Sequence, residues 1–108
     1  MPLYMTQYSL TTEAWAALAK KPEDRSVPVK ALFEKIGGRL IGMYYCYGEY
    51  DGVIISECPD NVSHAGATIA AVLPGHVRSI MTTVLFSVAD AMQAMKKAGT
   101  ISYAGPGR

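Results

Sequence analysis

A phenol and a carboxylate stand side by side near the middle of the chain, where Tyr50 and Asp51 follow Gly48 and Glu49. At the mouth of a cavity, the phenol of such a pair would orient a ligand while the carboxylate accepts a proton. The same residue types also build turns, because glycine supplies a positive φ and aspartate hydrogen-bonds nearby backbone N–H groups. The turn role is the stronger interpretation, since turns reuse these residues in every class of protein.

A second group of reactive side chains lies just before and within the last predicted strand. His76 is expected in a loop, and Arg78 at the start of the strand that follows. The imidazole could act as a general base, and the guanidinium could bind a carboxylate or phosphate through two parallel hydrogen bonds. An ion pair with Glu57 or Asp51 at the sheet edge is the alternative role for Arg78. The candidate catalytic residues are therefore Tyr50, Asp51, His76 and Arg78.

Tyrosine outnumbers phenylalanine in this chain by seven to two. Buried phenols need hydrogen-bond partners, so this excess favours a partly polar cavity over a dry core. The tyrosines that could line such a cavity, or else fill a dimer interface, are Tyr4, Tyr8, Tyr44, Tyr45 and Tyr47. The candidate ligand-binding residues are Tyr45, Tyr47, Tyr50 and Arg78.

No spacing typical of a metal or cofactor site occurs in the sequence. His64 and His76 are the only histidines, and neither a His-x-x-x-His nor a Cys-x-x-Cys pattern is present. A metal site normally needs three or four donors, so we predict no metal and no cofactor. Two cysteines, Cys46 and Cys58, are too few for a disulfide framework. They predict reduced thiols. The start of the chain does not resemble a secretion signal, which predicts a cytoplasmic location.

Charge and hydropathy limit the classes of partner. Ten basic and nine acidic side chains give a formal net charge of +1. Binding to nucleic acid rests on a basic face, so no nucleic-acid partner is predicted. No apolar run approaches the roughly 20 residues that span a bilayer, so no membrane partner is predicted either.

An alternation of strands and helices would position the candidate residues. Strands are predicted over residues 3–9, 39–47, 51–57 and 77–86. Helical segments are predicted over residues 12–36 with a break at Lys20-Lys21-Pro22, from a cap at Asp60 or Asn61 to the stop at Pro74-Gly75, and from a cap at Ser87 to Gly99. The order β-α-β-β-α-β-α is that of a ferredoxin-like α+β fold, a four-stranded antiparallel sheet with an extra C-terminal helix. We expect one domain over residues 1–99 and a tail rich in glycine and proline over residues 100–108.

Side-chain direction gives two finer predictions. A two-residue turn between the second and third strands would pair Tyr47 with Tyr50 and Tyr45 with Gly52. The helix after the third strand would face the core with Val62, Ala65, Ile69 and Val72. Neither face of the hairpin is plainly polar, and a sheet that is apolar on both faces must be covered twice. We therefore predict a homodimer or a higher homo-oligomer that forms through the open face of the sheet.

Three short segments point to a family. Gly48-Glu49-Tyr50-Asp51 leads into an apolar strand, Gly37-Gly38-Arg39-Leu40 precedes it, and Val77-Arg78 opens the last strand. In this order and spacing the chain, from Leu3 to about Gly99, resembles the small bacterial GYD-domain family. In that family a Gly-x-Tyr-Asp-like turn leads the third strand. The resemblance implies a dimeric α/β barrel, an architecture that also hosts monooxygenases, isomerases, dehydratases and haem enzymes. It implies no particular activity, because fold does not supply function.

The resulting functional prediction is a homo-oligomeric module that binds a small organic molecule or serves a structural role. The alternative is a cofactor-independent oxygenase or isomerase acting on a small aromatic or carbonyl compound in the barrel cavity. Convergence of the four candidate catalytic side chains on one pocket would favour the enzyme. Engagement of the same side chains in turn and interface bonds would favour the binding module, and a filled barrel would indicate a purely architectural subunit.

Overall fold

Four antiparallel strands and four helices form the protein, and the computed structural model describes residues 1–107. The strands are β1 (Leu3–Leu10), β2 (Arg39–Tyr45), β3 (Gly52–Glu57) and β4 (Val77–Leu85), and they lie in the order β2-β3-β1-β4. The helices are α1 (Thr12–Lys20), α2 (Ser26–Lys35), α3 (Asn61–Val72) and α4 (Val88–Ala98). This confirms the ferredoxin-like α+β fold with an extra C-terminal helix. Of the predicted tail, Arg108 lies outside the described residues.

Side-chain caps fix the start of three helices. Thr11, Asp60 and Ser87 each accept a hydrogen bond from the backbone N–H three residues further on, at 3.1, 2.8 and 3.0 Å. Each such cap contributes about 1 kcal/mol to stability. Pro28 lies in the first turn of α2, where its missing N–H costs no helical bond. After α2 the chain turns at Gly37, whose φ of 77° favours glycine.

The β2–β3 hairpin has the predicted register but a wider turn than predicted. Tyr45 pairs with Gly52 as expected. The predicted two-residue turn is wrong, because residues 47–50 form a bend that is closed by a hydrogen bond of 2.7 Å from Cys46 N–H to the Asp51 carbonyl. The strands are correspondingly shorter than predicted. Asp51 N–H donates to the Tyr8 carbonyl of β1 at 2.9 Å, so the Asp51 backbone bonds to the neighbouring strand on each side.

The core lies between the sheet and the helices that cover one of its faces. Its buried members are Tyr4, Tyr8, Phe33, Ile54, Cys58 and Ala67. Burying a large apolar side chain stabilises the fold by roughly 1.5–3 kcal/mol. Two of the three bulkiest members of the cluster are tyrosines of β1, so this central strand carries both apolar surface and hydroxyl groups into the core.

The face of helix α3 that lies against the sheet is opposite to the face predicted to do so. His64 and Ala67 are its buried residues, whereas Val62 is 82% and Ile69 60% exposed. The predicted core-facing stripe is therefore wrong. The physical reason is that the His64 ring stacks on Tyr4 of β1, with ring centroids 4.3 Å apart, and this contact fixes the rotation of the helix.

The opposite face of the sheet and helix α4 remain uncovered within the chain. The apolar side chains on that face are Leu3, Met5, Val53, Ile55 and Leu85, all partly exposed. Helix α4 has no buried residue. The Cα radius of gyration is 17.7 Å, compared with roughly 13 Å for a compact chain of this length. The molecule is thus extended, and both apolar surfaces face solvent.

Candidate ligand-binding cavity

A cavity of about 470 Å³ lies between the sheet and helices α1, α2 and α3. Its wall is mainly apolar and includes Leu10, Leu32, Phe33, Ile54, Ala67 and Ile80. The volume falls within the range of roughly 300–1,000 Å³ that small-molecule sites occupy. The size and lining therefore suit a small organic ligand.

Short side chains on α3 leave this space open. Ala67, Thr68, Ala70 and Ala71 line the cavity from the side of α3. Protein interiors are otherwise close-packed, so four short side chains along one wall leave a volume that the neighbouring elements do not fill. The space is a consequence of the sequence of α3, whose large aliphatic residues Val62 and Ile69 point outward.

Tyr8 and Thr6 are the buried residues of the cavity wall that carry a hydroxyl group. The Tyr8 ring lies over Gly52 on the adjacent strand, and a Cβ atom at that position would overlap it. The Tyr8 residue is 6% exposed, and none of the side-chain hydrogen bonds within residues 1–107 involves its hydroxyl. Burial, followed by the nearby Tyr45, Cys46 and Asp51 side chains, raises the pKa of Tyr8 to about 12, and the Arg25 guanidinium opposes that rise with the smallest effect. The phenol is therefore neutral at physiological pH and able to donate a hydrogen bond.

Charged side chains border the same cavity. Arg25 and Glu23 both line it and form an ion pair of 3.0 Å, with about half of each side chain exposed. Lys35 and His76 also contribute to the lining. Exposed ion pairs contribute little to stability, so Arg25 can exchange or share its partner at low cost.

A hydrogen-bonded histidine lies behind two of the lining threonines. His64 Nε2 is 3.0 Å from Thr6 Oγ1, and its Nδ1 is 3.4 Å from Thr68 Oγ1. Tyr4, which stacks on the imidazole, donates its hydroxyl proton to Asn61 Oδ1 at 2.6 Å. Burial lowers the pKa of His64, so the ring is neutral in the folded protein. This network supports the cavity wall without contributing a charge.

Asp51 ties together three elements next to the cavity. Its Oδ2 accepts hydrogen bonds from Leu10 N–H at 2.8 Å and from the Trp15 indole at 3.2 Å. The end of β1, helix α1 and the hairpin thus meet at one carboxylate. The Asp51 side chain serves as a structural junction, which is the turn and packing role that the sequence favoured.

The order of elements and the Gly48-Glu49-Tyr50-Asp51 segment can now be compared with known proteins. The GYD domain matches residues 4–95. This chain belongs to the GYD domain family. A Thermus thermophilus relative, the "Glutamine synthetase and cystathionine beta-lyase binding protein", is 29% identical over 96 residues, which cover 89% of this chain and 100% of the relative.

Solved structures share the fold of this GYD-domain protein at low sequence identity. TTHA0845 from Thermus thermophilus has a TM-score of 0.50 and 19% identity, over 82% of this chain and 96% of that one. A NIPSNAP-like domain protein from Burkholderia xenovorans has a TM-score of 0.50 and 15% identity, over 82% and 85%. MtbAldR has a TM-score of 0.56 and 11% identity, over 80% of this chain but only 52% of its own. These likenesses concern the fold alone.

The candidate residues of the GYD-domain protein do not converge on one pocket. Tyr45 and His76 line the cavity. The Tyr50 hydroxyl donates to a methionine sulfur of β4 at 3.3 Å, and Tyr47 is fully exposed at the hairpin bend. Arg78 is exposed on β4 and does not line the cavity. Among the four catalytic candidates, His76 alone reaches the cavity wall.

Three remaining features are metal-binding groups, the ion pair of Arg39 and the hydropathy of the helices. Within residues 1–107, no group of three or more His, Cys, Asp or Glu side chains is placed to hold a metal ion. Arg39, at the start of β2, forms an ion pair of 2.7 Å with Glu57, which is one of the two partners predicted for Arg78. Across the same residues, no helix has the length and hydropathy of a membrane span.

Sequence reasoning missed most of the cavity. Arg25 stands in a polar segment with no motif around it, and Leu32 and Phe33 belonged to an ordinary amphipathic pattern. The sequence predicts Tyr8 only as one of five tyrosines that could line a cavity or fill a dimer interface. The sequence feature that could have identified Tyr8 is its spacing from Thr6 and Tyr4. Tyr8 lies two residues after Thr6 and four after Tyr4, which places all three side chains on one face of a strand.

Proposed function

We propose that this GYD-domain protein binds a small, mostly apolar organic molecule in the cavity between its sheet and helices. The observation that carries the proposal is the cavity of about 470 Å³ with an apolar wall and a few polar groups. Ligands of this class gain affinity from apolar burial, and the polar groups give orientation. We place the protein in a bacterial cytoplasm, a setting with which its two free cysteines agree.

An oxygenase or isomerase acting on a small aromatic or carbonyl compound is the alternative function. It would need the Asp51 carboxylate free to take a proton, whereas both of that side chain's hydrogen bonds hold neighbouring elements. It would also need Tyr50 and Arg78 beside His76, and these two lie outside the cavity wall. The binding role therefore agrees better with the geometry.

The test is a titration with 1-anilinonaphthalene-8-sulfonate, an aromatic dye that fluoresces in apolar sites. One dye per chain is expected to bind. Ala71→Leu, which fills the cavity from α3, is expected to weaken binding at least tenfold. Ala65→Leu is the matched control, because Ala65 is exposed on the same helix and does not line the cavity.

The two variants separate a cavity site from adsorption to the surface. If Ala71→Leu and Ala65→Leu bind the dye equally well, the dye lies on exposed helices and the proposed cavity function is refuted. Circular dichroism and the unfolding midpoint of each variant show whether a loss of binding comes from a loss of folding.

We further propose that the protein self-associates, so that a second copy of this chain is its partner. Taking roughly 200 Å² for each large side chain, the exposed apolar surface of α4 and its flanks amounts to about 800 Å². The contributing residues are Phe86, Val88, Met92, Met95, Ile101 and Tyr103. A stable interface needs about 800 Å² from each partner. The uncovered sheet face adds to this area, so a homodimer or a higher homo-oligomer would have sufficient surface.

Sedimentation velocity at low micromolar concentration tests this assembly. The wild type is expected to sediment as a dimer or larger, and the double variant Met92→Lys, Met95→Lys as a smaller species. Gln93→Lys, on the polar side of α4, is the control. A monomeric wild type refutes self-association. In that case the same surfaces would suit a different protein, as the name of the Thermus relative, a binding protein of two enzymes, suggests.

A further inference from the structure

A second, smaller space of about 280 Å³ lies between helix α1 and the end of strand β2. The residues that line this space, which we call the Trp15 groove, are Trp15, Leu18, Ala19, Pro22, Glu23 and Tyr45. Trp15, Ala19 and Pro22 line the groove alone, whereas the other three residues also border the larger cavity. The groove therefore adjoins the larger cavity but has a wall of its own.

Two aromatic rings stand at an angle to each other in the wall of the groove. The ring centroids of Trp15 and Tyr45 are 6.0 Å apart, and the ring planes are inclined by 44°. A cation is attracted to the face of an aromatic ring when it lies within about 6 Å of the centroid, and indole attracts it most strongly. Both side chains can be reached from solvent, since the residues are 40% and 52% exposed. Because the centroids are close together, one cation can lie within this distance of both rings.

Two carboxylates add negative charge beside these rings. Asp51 Oδ2 accepts the indole N–H of Trp15 at 3.2 Å, which holds the ring and places a negative charge at its edge. Glu23 lines the groove itself. Arg25 pairs with Glu23 Oε1 at 3.0 Å, but it lines the larger cavity and not the groove. The charges next to the two rings therefore favour a positively charged ligand.

The lining of the groove offers few free hydrogen-bond acceptors to such a ligand. Its aliphatic members, Leu18, Ala19 and Pro22, have no polar side-chain atom. Asp51 Oδ2 already accepts two hydrogen bonds, and Glu23 Oε1 accepts one. A primary ammonium brings three N–H donors, and each donor that is desolvated without an acceptor is costly. A fully methylated ammonium brings no donor and packs its methyl groups against the rings, so it suits this lining better.

We infer that the Trp15 groove binds a small molecule that carries a methylated ammonium group. The cation lies against Trp15 and Tyr45, and the Glu23 carboxylate balances its charge. This inference goes beyond the proposed function, because it assigns a second site and does not depend on which molecule occupies the larger cavity.

The test follows the fluorescence of Trp15, the only tryptophan, during titration with three related probes. Choline carries a trimethylammonium group, and ethanolamine carries a primary ammonium on the same skeleton. In 3,3-dimethyl-1-butanol a carbon replaces the nitrogen of choline, so the shape is kept and the charge is lost. Choline is expected to bind about tenfold more tightly than either of the other probes. Sodium chloride at the same concentrations corrects for the effect of ionic strength.

Substitutions with matched controls assign the preference to the groove. Tyr45→Leu is expected to lower the affinity for choline about fivefold, because leucine keeps apolar contact but has no π-face, whereas Tyr45→Phe should keep most of the affinity. Glu23→Gln is expected to lower it several-fold. The controls are Tyr44→Leu on the same strand and Glu13→Gln on α1. Both residues are exposed and lie outside the groove, so neither change should alter the affinity.

The outcomes separate this inference from the proposed function. Equal affinities for choline and 3,3-dimethyl-1-butanol would overturn the inference, because the groove would then recognise shape alone. An equal loss in Tyr45→Leu and Tyr44→Leu would overturn it as well. Ala71→Leu, which fills the larger cavity, should leave choline binding unchanged, and a loss there would place the cation in that cavity instead. If choline does not bind to the wild type, the inference is refuted while the cavity function, tested with the dye, stands.

Discussion

Removing the Asp51 carboxylate should destabilise the fold more than removing any other acidic group of the hairpin. In Asp51→Ala, the Leu10 N–H and the Trp15 indole both lose their acceptor. The first of these bonds is short and partly buried, and its acceptor is charged. A hydrogen bond to a charged group contributes about 1.5–3 kcal/mol, and an exposed, longer one about 0.5–1 kcal/mol.

The expected loss in the free energy of unfolding for Asp51→Ala is therefore about 2–4 kcal/mol. For a domain of this size, that corresponds to a fall in Tm of about 9–18 °C. Asp51→Asn keeps an oxygen that can accept both bonds but loses the charge. Its expected cost is about half as large, because neutral hydrogen bonds are roughly half as strong as charge-assisted ones.

Urea unfolding measures these costs with two signals, the circular dichroism at 222 nm and the fluorescence of Trp15, the only tryptophan. Trp15 emission should shift to the red in folded Asp51→Ala, because the indole is released. Glu49→Ala is the matched control, since Glu49 is exposed in the same bend. An Asp51→Ala protein within about 0.5 kcal/mol of the wild type, with unchanged emission, would show that the junction does not hold these elements together.

Three further substitutions, at Gly52, His64 and Tyr8, test the packing against the Tyr8 ring and the dependence of stability on pH. Gly52→Ala places a Cβ against the Tyr8 ring and should lower the free energy of unfolding by about 1–3 kcal/mol. When Tyr8→Ala is present in the same chain, Gly52→Ala should lower it by much less, because the clash is gone. Strictly additive losses of the two substitutions in thermal unfolding would contradict the contact. Burial lowers the pKa of His64 below its ordinary 6.5, so the unfolded chain binds the proton first. Stability should be full above pH 6.5 and fall below it, and His64→Gln but not His76→Gln should flatten the pH dependence of the urea midpoint. Because the pKa of Tyr8 is raised from 10.0 to about 12, stability should fall as the pH rises through that interval. Tyr8→Phe should reduce this alkaline loss in the same assay, and an unaltered loss would contradict a buried phenol.

The order of elements was predictable because it depends on local signals. Caps at Thr11, Asp60 and Ser87 and the glycine after α2 mark helix ends through bonds within a few residues. The position of the turn at Gly48 and Glu49 also predicted the pairing of Tyr45 with Gly52. These features do not require knowledge of which surfaces meet in space.

The rotation of α3 was not predictable from its own sequence. An apolar stripe normally faces the core, yet here Val62 and Ile69 face solvent while His64 is buried. The deciding contact is with Tyr4, which lies 60 residues away along the chain. A histidine becomes favourable in a core only when distant partners satisfy its nitrogens, as Thr6 does here. The cavity depends on this rotation of α3, so the residues that line it could not be predicted from the sequence either.

The family signature and the cavity are connected through β1. Asp51 N–H donates to the Tyr8 carbonyl at 2.9 Å, and Asp51 Oδ2 accepts from Leu10 N–H at 2.8 Å. Tyr8 and Leu10 in turn line the cavity. The Asp51 junction thus fixes the strand end from which two wall residues project, although its own side chain does not reach the cavity. In the proposed function, Asp51 would therefore serve ligand binding by holding the cavity wall in place, without its own side chain contacting the ligand.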